Sequence, residues 1–392
     1  MFVHSLDVAW IDHPFLRSQF MLRRDSDVEK IVEAGIHHVW IDTSLGQDAP
    51  HAPTEDEVMK AVDEEIRAAI TVDTPAPKVS VAEEMERARK VRKQAHQVIS
   101  KVMRDARLGH AIEMEDIEQL VEDITLSITR NSGALAALLQ IKTADEYTFL
   151  HSVAVCTLMV TFARFKGLGP EVIRHAGIGG LLHDTGKMKV PPEILNKPGR
   201  LTDAEFAIVK RHPSDGWEML REAQGVDEIA LDITLHHHER MDGTGYPHKL
   251  AGEQISTLAR MASIVDVYDA ITSNRCYHSG LPATEALRKM WEWSKFQFDQ
   301  SLMQAFIRTV GIYPVGSVVK LESGRIGVVT DHNEGKALQP KVRVFFSTRS
   351  NLFIPPEEVD LSRSLGHGGG DRIVGHEDAA KWNIDPLTYL AQ

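Results

Sequence analysis

The chain has 392 residues, 43% of them hydrophobic and 26% charged, with a formal net charge of -12. This is ordinary soluble-globular composition with room for two or three domains, and the acidic balance disfavours a nucleic-acid polymer as partner, although bound cations can reverse the sign locally for a small anion. No basic segment followed by an apolar one opens the sequence, and the longest nearly apolar run, residues 153–163, is far short of the ~20 that a membrane helix needs, so neither a signal peptide nor membrane insertion is expected.

Residues 1–46 mix short alternating stretches (Val3-His4-Ser5-Leu6, His38-Val39-Trp40-Ile41) with a helix-like segment near 27–34, which predicts a small α+β domain. Residues 47–80 carry Pro50, Pro53, Pro75 and Pro77 in mostly polar surroundings and are expected to be a linker enclosing one short helix. A strongly charged helix is predicted over 81–106, with Met85, Ala88, Val91, Ala95, Val98 and Val102 on one face at steps of three and four. Such a face packs on the next domain or, alternatively, pairs with a second copy as a coiled coil. From about 114 to 310 the pattern is helical almost throughout, with a capping box of Thr202 and Glu205 and a staple of Leu201 and Phe206, so the main helical domain is placed at 81–310. After Tyr313-Pro314, β-rich runs at 318–321, 325–330 and 341–346 are separated by Ser-Gly and Asn-Glu-Gly turns, which predicts a small antiparallel β module over 311–362. The tail, 363–392, contains Gly368-Gly369-Gly370 and little apolar periodicity before Trp382, and is expected to be largely mobile. The fold class is therefore mainly α, with a small α+β domain before the helical domain and a small antiparallel β module after it.

Histidine usage points to chemistry. Of 19 histidines, eight fall within about a hundred residues: His151, His175, His183, His212, His236, His237, His238 and His248. The two cysteines, Cys156 and Cys276, are isolated, which fits a reducing cytoplasm and argues against thiolate ligands. Five segments stand out: His151-Ser152, His183-Asp184-Thr185-Gly186-Lys187, His212-Pro213, His237-His238-Glu239, and Asp266 within Ile264-Val265-Asp266-Val267-Tyr268-Asp269. Asp266 falls on a helix with little polar face, on a stripe of small or acidic residues with Ala259, Ala262, Asp269 and Ser273, where a carboxylate would be buried and must pair or bind a metal. His183-Asp184 follows the apolar helix end Ile178-Gly179-Gly180-Leu181-Leu182. Five imidazoles and two carboxylates are too many for one ion and suit two, with one carboxylate bridging. Neutral imidazole with oxygen ligands suits iron, manganese, nickel or zinc rather than magnesium or calcium. His175, His236 and His248 are left to ordinary structural roles, His236 at most supporting a ligand.

His183-Asp184-Thr185-Gly186-Lys187 resembles the HDxGK motif of HD-domain phosphohydrolases, and His237-His238-Glu239-Arg240-Met241-Asp242-Gly243-Thr244-Gly245-Tyr246-Pro247 resembles the HHExxDGxGYP motif of the HD-GYP subfamily. The likeness covers roughly residues 144–306. It implies a helical HD-type metallohydrolase domain, a non-haem centre with two divalent ions (iron or manganese foremost, nickel or zinc as alternatives), and hydrolysis of cyclic di-GMP to pGpG or GMP in bacterial signalling. On the family's pattern, His151, His183, Asp184, His212, His237, His238 and Asp266 are ligands, with Asp184 as the bridge. Lys187 meets a substrate phosphate, Arg275 grips another, and the loop of Gly245 and Tyr246 lies against the substrate, its ring able to stack on guanine. There are two departures. Tyr147 stands where three-metal members carry a glutamate, so two ions are expected, and His278 stands where a lysine or arginine usually follows Arg275, weakening that phosphate contact at neutral pH.

An HD phosphohydrolase acting on another nucleotide, such as cyclic GMP-AMP or a mononucleotide, remains an alternative; the GYP loop and the histidine pair argue against a mononucleotide. A catalytically weak cyclic-dinucleotide receptor or scaffold is another, kept open by Tyr147 and His278. A homodimer or a diguanylate-cyclase partner is compatible with the sequence.

Overall fold

The computed structural model describes residues 1–6, 19–49, 51–69, 78–140, 147–197, 199, 201–273, 280–333, 336, 338–364 and 370–390. At the amino terminus β1 (Phe2–Leu6), β2 (Phe20–Met21) and β3 (Val39–Ile41) form an antiparallel sheet in the order β2-β1-β3, with α1 (Asp25–Glu33) between the last two in sequence. Val3, Leu6, Ile31 and Ile36 make its core.

The stretch expected as a linker is not a free tether. It contains α2 (Glu55–Ala69), whose Val58, Val62 and Ile66 recur at every fourth position and give the helix an apolar edge. Val62 and Ile66 are buried in the main core, while Asp63 and Glu65 pair with Arg288 at 2.8 Å and Trp291 at 2.6 Å.

α3 (Val81–Leu108) starts at a reciprocal cap, in which the Ser80 hydroxyl accepts from the Glu83 amide and the Glu83 carboxylate accepts from the Ser80 amide. It ends at Gly109, whose φ of +70° is the left-handed turn that a glycine permits. Its apolar face is covered by α4 (Met114–Arg130), α5 (Ser132–Gln140) and α6 (Tyr147–Phe165), so the coiled-coil alternative fails: that face already has a partner within the chain. Ile99 rather than Val98 takes the buried position. Glu84, fully buried on α3, accepts two hydrogen bonds from Arg130 at 2.7 Å and one from Ser127 at 2.9 Å, tying α3 to α4.

α7 (Pro170–Leu182) lies close along α6 because its contact face carries glycines. An added Cβ would come within 2.8 Å of Val160 at Gly177 and within 3.2 Å of the Cys156 backbone at Gly180. This approach sets the end of α7 beside the first turn of α6. The domain continues through α8 (Pro192–Leu195), α9 (Asp203–Val209, with the expected cap of Thr202 and Glu205), α10 (His212–Glu222), α11 (Glu228–His236), α12 (Thr257–Thr272), α13 (Ala283–Trp293) and α14 (Gln300–Val310). α12 runs through the core, and Ala259, Ala262, Asp266 and Asp269 along its stripe are all buried.

β4 (Val318–Leu321), β5 (Arg325–Asp331), β6 (Lys341–Ser347), β7 (Leu352–Asp360) and β8 (Ile373–His376) form one antiparallel sheet in the order β7-β6-β5-β4-β8. Neighbouring residues serve opposite faces: Val318 and Val328 join the helical core, while Val319 and Val329 join a second core with Val342, Val344 and Val359. The tail departs from the mobility expected of it. β8 pairs with β4, Trp382 meets Phe346 with ring centroids 4.4 Å apart, Tyr389 in α15 (Pro386–Leu390) meets Phe345 at 4.8 Å, and Leu390 is buried. These apolar residues are too sparse to show a period, yet each finds a place on the sheet. Among the described residues no helix is long and apolar enough to cross a membrane.

Candidate metal centre

The seven residues singled out as ligands converge on one buried cluster. His151 lies in the first turns of α6, His183 and Asp184 follow α7, His212 opens α10, His237 and His238 follow α11, and Asp266 lies in α12. Three groupings place their donor atoms within 4.8 Å of one another: His151, His183 and Asp266; His212, His237 and His238; and His183, Asp184 and His237.

Helix ends explain how the rings are aimed. His183 Nδ1 donates to the Gly180 carbonyl at 2.8 Å, His212 Nδ1 to Val209 at 2.8 Å, and His237 Nδ1 to Thr234 at 2.9 Å. A carbonyl only accepts, so each Nδ1 carries a proton and each ring turns its Nε2 inward. His151 is held the same way by a carboxylate, with Nδ1 at 2.6 Å from Asp269 Oδ2. Asp184 lies between the two lobes. Its Oδ2 is 3.6 Å from His151 Nε2 and 3.4 Å from His183 Nε2, while its Oδ1 is 3.3 Å from His212 Nε2 and 4.0 Å from His237 Nε2. Asp266 Oδ1 faces His151 Nε2 at 3.0 Å, and its Oδ2 faces His238 Nδ1 at 4.0 Å.

These residues fit bound cations on grounds internal to the structure. His183 Nε2 and Asp184 Oδ1 are buried with no hydrogen-bond partner, a costly arrangement unless something positive lies between them. The Nε2 atoms of His212 and His237 are 3.3 Å apart, both with lone pairs facing. Neither is readily protonated. Burial lowers the pKa of His212, and burial with the neighbouring His183 and His212 pulls His237 down to about 3; burial, His237 and His212 depress His238 well below its ordinary value. Burial works against ionisation of Asp184 and Asp266, yet facing histidines, with Lys187 in the case of Asp184, hold both carboxyls well below the usual range. For His183 burial is outweighed by Asp184 and Asp266, which lift it to about 10, so in the metal-free chain a proton occupies the position a cation would take. Imidazole and carboxylate without thiolate is a donor set for divalent transition metals.

The motif lysine comes to the same place. Lys187 Nζ is 2.6 Å from Asp184 Oδ2, at the edge of the cluster. The turn of residues 185–189 reaches it through Gly186, where an added Cβ would collide with the His212 carbonyl at 2.0 Å. Gly245 is equally confined, since its Cβ would lie 2.5 Å from the Arg240 amide nitrogen. The Tyr246 ring stacks on His238 with centroids 4.7 Å apart and planes at 28°, which covers one edge of the cluster. Arg275 and His278 lie outside the described residues, as does the side chain of Tyr147. His175 pairs with Glu171 and Asp227, and His236 with Asp232 and His248, at 2.7 and 3.1 Å in the latter case.

Two functional contacts were not assigned from the sequence. Asp269 orients His151; its place on the buried stripe, three residues after Asp266, was the available signal. Glu239, buried inside the HHE motif, accepts from the amides of His248 at 2.6 Å and Leu250 at 3.0 Å and so closes the loop that carries Tyr246.

Residues 135–302 match the HD domain, and residues 1–117 match a domain of unknown function (DUF3391). The chain is 47% identical over 395 residues to the cyclic di-GMP phosphodiesterase PA4108 of Pseudomonas aeruginosa, an alignment covering 100% of this chain and 92% of that protein. It is also 34% identical to the 3'3'-cGAMP-specific phosphodiesterase 1 of Vibrio cholerae, over 42% of this chain and 38% of that one. Among solved structures, Bd1817, an HDG"Y"P protein from Bdellovibrio bacteriovorus, is similar at TM-score 0.48 and 20% identity, over 74% of this chain and 88% of that one. With a full-length relative at this identity and both signature motifs gathered around one cluster, the chain belongs to the HD-GYP family of HD-domain phosphodiesterases.

Proposed function

We propose that this protein hydrolyses cyclic di-GMP at a centre of two divalent ions, iron or manganese, with nickel or zinc as alternatives. The observation that carries the proposal is Asp184, whose two oxygens face opposite histidine lobes at 3.3–3.6 Å, as a bridging carboxylate requires. His151, His183 and Asp266 would hold one ion, His212, His237 and His238 the other, and Asp184 both. Such ions supply Lewis acidity and a water acidified to near neutral pH. Asp184 and Asp266 provide the negative charge that lets two cations share a buried cavity. Lys187, at the rim with its amine on Asp184, neutralises charge growing on the phosphoryl oxygens. Tyr246 lies flat against His238 and offers an aromatic face beside the reacting phosphate, and on the family's pattern Arg275 is assigned a second phosphate, with His278 at the sequence position where a lysine or arginine is usual.

Cyclic di-GMP is preferred to cyclic GMP-AMP because the relative that aligns along the whole chain is named for the former, whereas the cGAMP-specific relative aligns over less than half of it. A cytoplasmic location, where the two isolated cysteines stay reduced, belongs to the same proposal. A homodimer or a diguanylate-cyclase partner does not. The test is anaerobic metal analysis of the purified chain with product chromatography on both dinucleotides. The expectation is two ions per chain and faster formation of pGpG or GMP from cyclic di-GMP. Faster turnover of cyclic GMP-AMP would reassign the substrate, and two bound ions with binding but no hydrolysis would make the protein a receptor.

A further inference from the structure

The amino-terminal unit touches the catalytic domain at the loop that carries Tyr246. Where α1 ends, Gly35 sits at φ +69° so close to the loop that an added Cβ would lie 2.7–2.9 Å from the Thr244 side chain. Two residues on, the His37 ring stacks on Phe296 with centroids 4.1 Å apart and planes at 15°, and its Nε2 is 3.2 Å from Asp242 Oδ2. The Asp242 carboxylate is therefore shared. Its other oxygen accepts from the Thr244 amide at 2.9 Å and the Thr244 hydroxyl at 2.6 Å, which shapes the turn leading to Gly245 and Tyr246. The same place is secured from behind. The Met241 amide donates to the Gln297 carbonyl at 3.0 Å, next to Phe296, and the helix preceding Phe296 holds α2 through Arg288 with Asp63 and Trp291 with Glu65.

We propose that His37 is a positioning residue for catalysis: together with Gly35 it makes the amino-terminal unit one wall of the substrate loop, and the docked unit sets where Tyr246 stands over the centre. Two contacts on one five-residue turn support this, at Asp242 and Thr244, each from a part of the chain some 200 residues away, and the stacking of His37 on Phe296 fixes the ring that makes the first of them. The turn is also held from within, by the Asp242 carboxylate on the Thr244 amide and hydroxyl and by the Tyr246 amide on the His238 carbonyl at 3.2 Å, and the contacts of His37 and Gly35 add to these from the exposed side of Thr244. A stacked ring with a hydrogen bond to Asp242 restricts the turn without entering the metal cluster. A change in the amino-terminal unit that moved His37 would thus reach Tyr246 through one carboxylate and two residues. The inference rests on the catalytic reading for its kinetic consequence only.

The test uses the full chain with its metals and compares His37→Ala, His37→Gln and wild type. In His37→Ala the amides of residues 241–247 exchange hydrogen faster, KM for cyclic di-GMP rises about fivefold, the size expected from losing one partly exposed hydrogen bond with its stacking, and the number of bound ions is unchanged. His37→Gln, which still donates to Asp242, recovers a good part of both changes. Unchanged exchange in the loop of His37→Ala overturns the proposal, and so does a KM defect accompanied by metal loss or one that His37→Gln does not relieve. If wild type fails to hydrolyse cyclic di-GMP, the catalytic reading falls, while loop exchange in the two variants still decides whether His37 holds the loop.

Discussion

Asp269→Asn isolates the outer support of one metal site. In the structure Asp269 Oδ2 lies 2.6 Å from His151 Nδ1, both groups are buried, and His151 Nε2 points at Asp266 Oδ1 (3.0 Å) and Asp184 Oδ2 (3.6 Å). The carboxylate fixes the proton on Nδ1 and makes the ring a stronger donor through Nε2. Asparagine keeps the volume and can still accept a hydrogen bond, but it removes the charge. Loss of such an outer carboxylate weakens metal binding by roughly 10–100-fold, equivalent to about 1.4–2.7 kcal/mol. The loss should fall on the ion held by His151, His183 and Asp266, and spare the one held by His212, His237 and His238. Chelator competition under anaerobic conditions, counting metal per chain at each step, reads the two sites separately, and circular dichroism checks that the helices persist. If both ions are held as tightly as in the unaltered protein, Asp269 does not orient His151 for metal, and its short contact is only a packing feature of the core.

Asp184→Ala removes the group that faces both lobes, so metal and turnover should disappear together; two retained ions with near-normal turnover would refute the bridge. Lys187→Ala should keep its metals yet lose about 10²–10³ in rate, because its amine acts on charge developing in the transition state; metal loss or normal turnover would show a different role. Metal uptake near pH 8 should release about one proton per chain from His183, which carries it in the metal-free state because the two carboxylates lift its pKa to about 10. Titration calorimetry in buffers of different ionisation enthalpy measures that release, and none at pH 8 would be against it. The same shift has a stability consequence with a definite sign: folded His183 binds its proton more tightly than the unfolded chain, so this contribution is complete below about pH 6.5 and is lost as pH rises through 10. The melting temperature of the metal-free protein should fall across that window.

Much of the centre was legible because its donors are local signals. His183-Asp184 and His237-His238 sit where apolar helical runs stop, and a helix end turns its last side chains towards whatever it packs against. The burial of Asp266 followed from a helix with no polar face left over. The β module was similarly visible, with β4, β5 and β6 read as runs between turn residues, whereas β7, and β8 contributed by the tail, had not been named. α2 and the tail were harder, because a few apolar residues at the edge of a polar segment look the same whether or not a core is there to receive them.

What the sequence by itself determined is most of the helices, three strands of the β module and the stock of donors: period and capping depend on neighbours three or four residues away, and motifs keep chemistry within a dozen. Tertiary packing decided the rest. Glycines on α7 brought α6 and the end of α7 close enough for His151, His183 and Asp184 to face one another. Asp269 found His151 across 118 residues, the two oxygens of Asp184 were divided between lobes, and His37 reached Asp242 across 205. None of these pairings has a local signature, because each follows from how whole helices pack against one another, and a contact between distant residues is specified by the shape of everything between them.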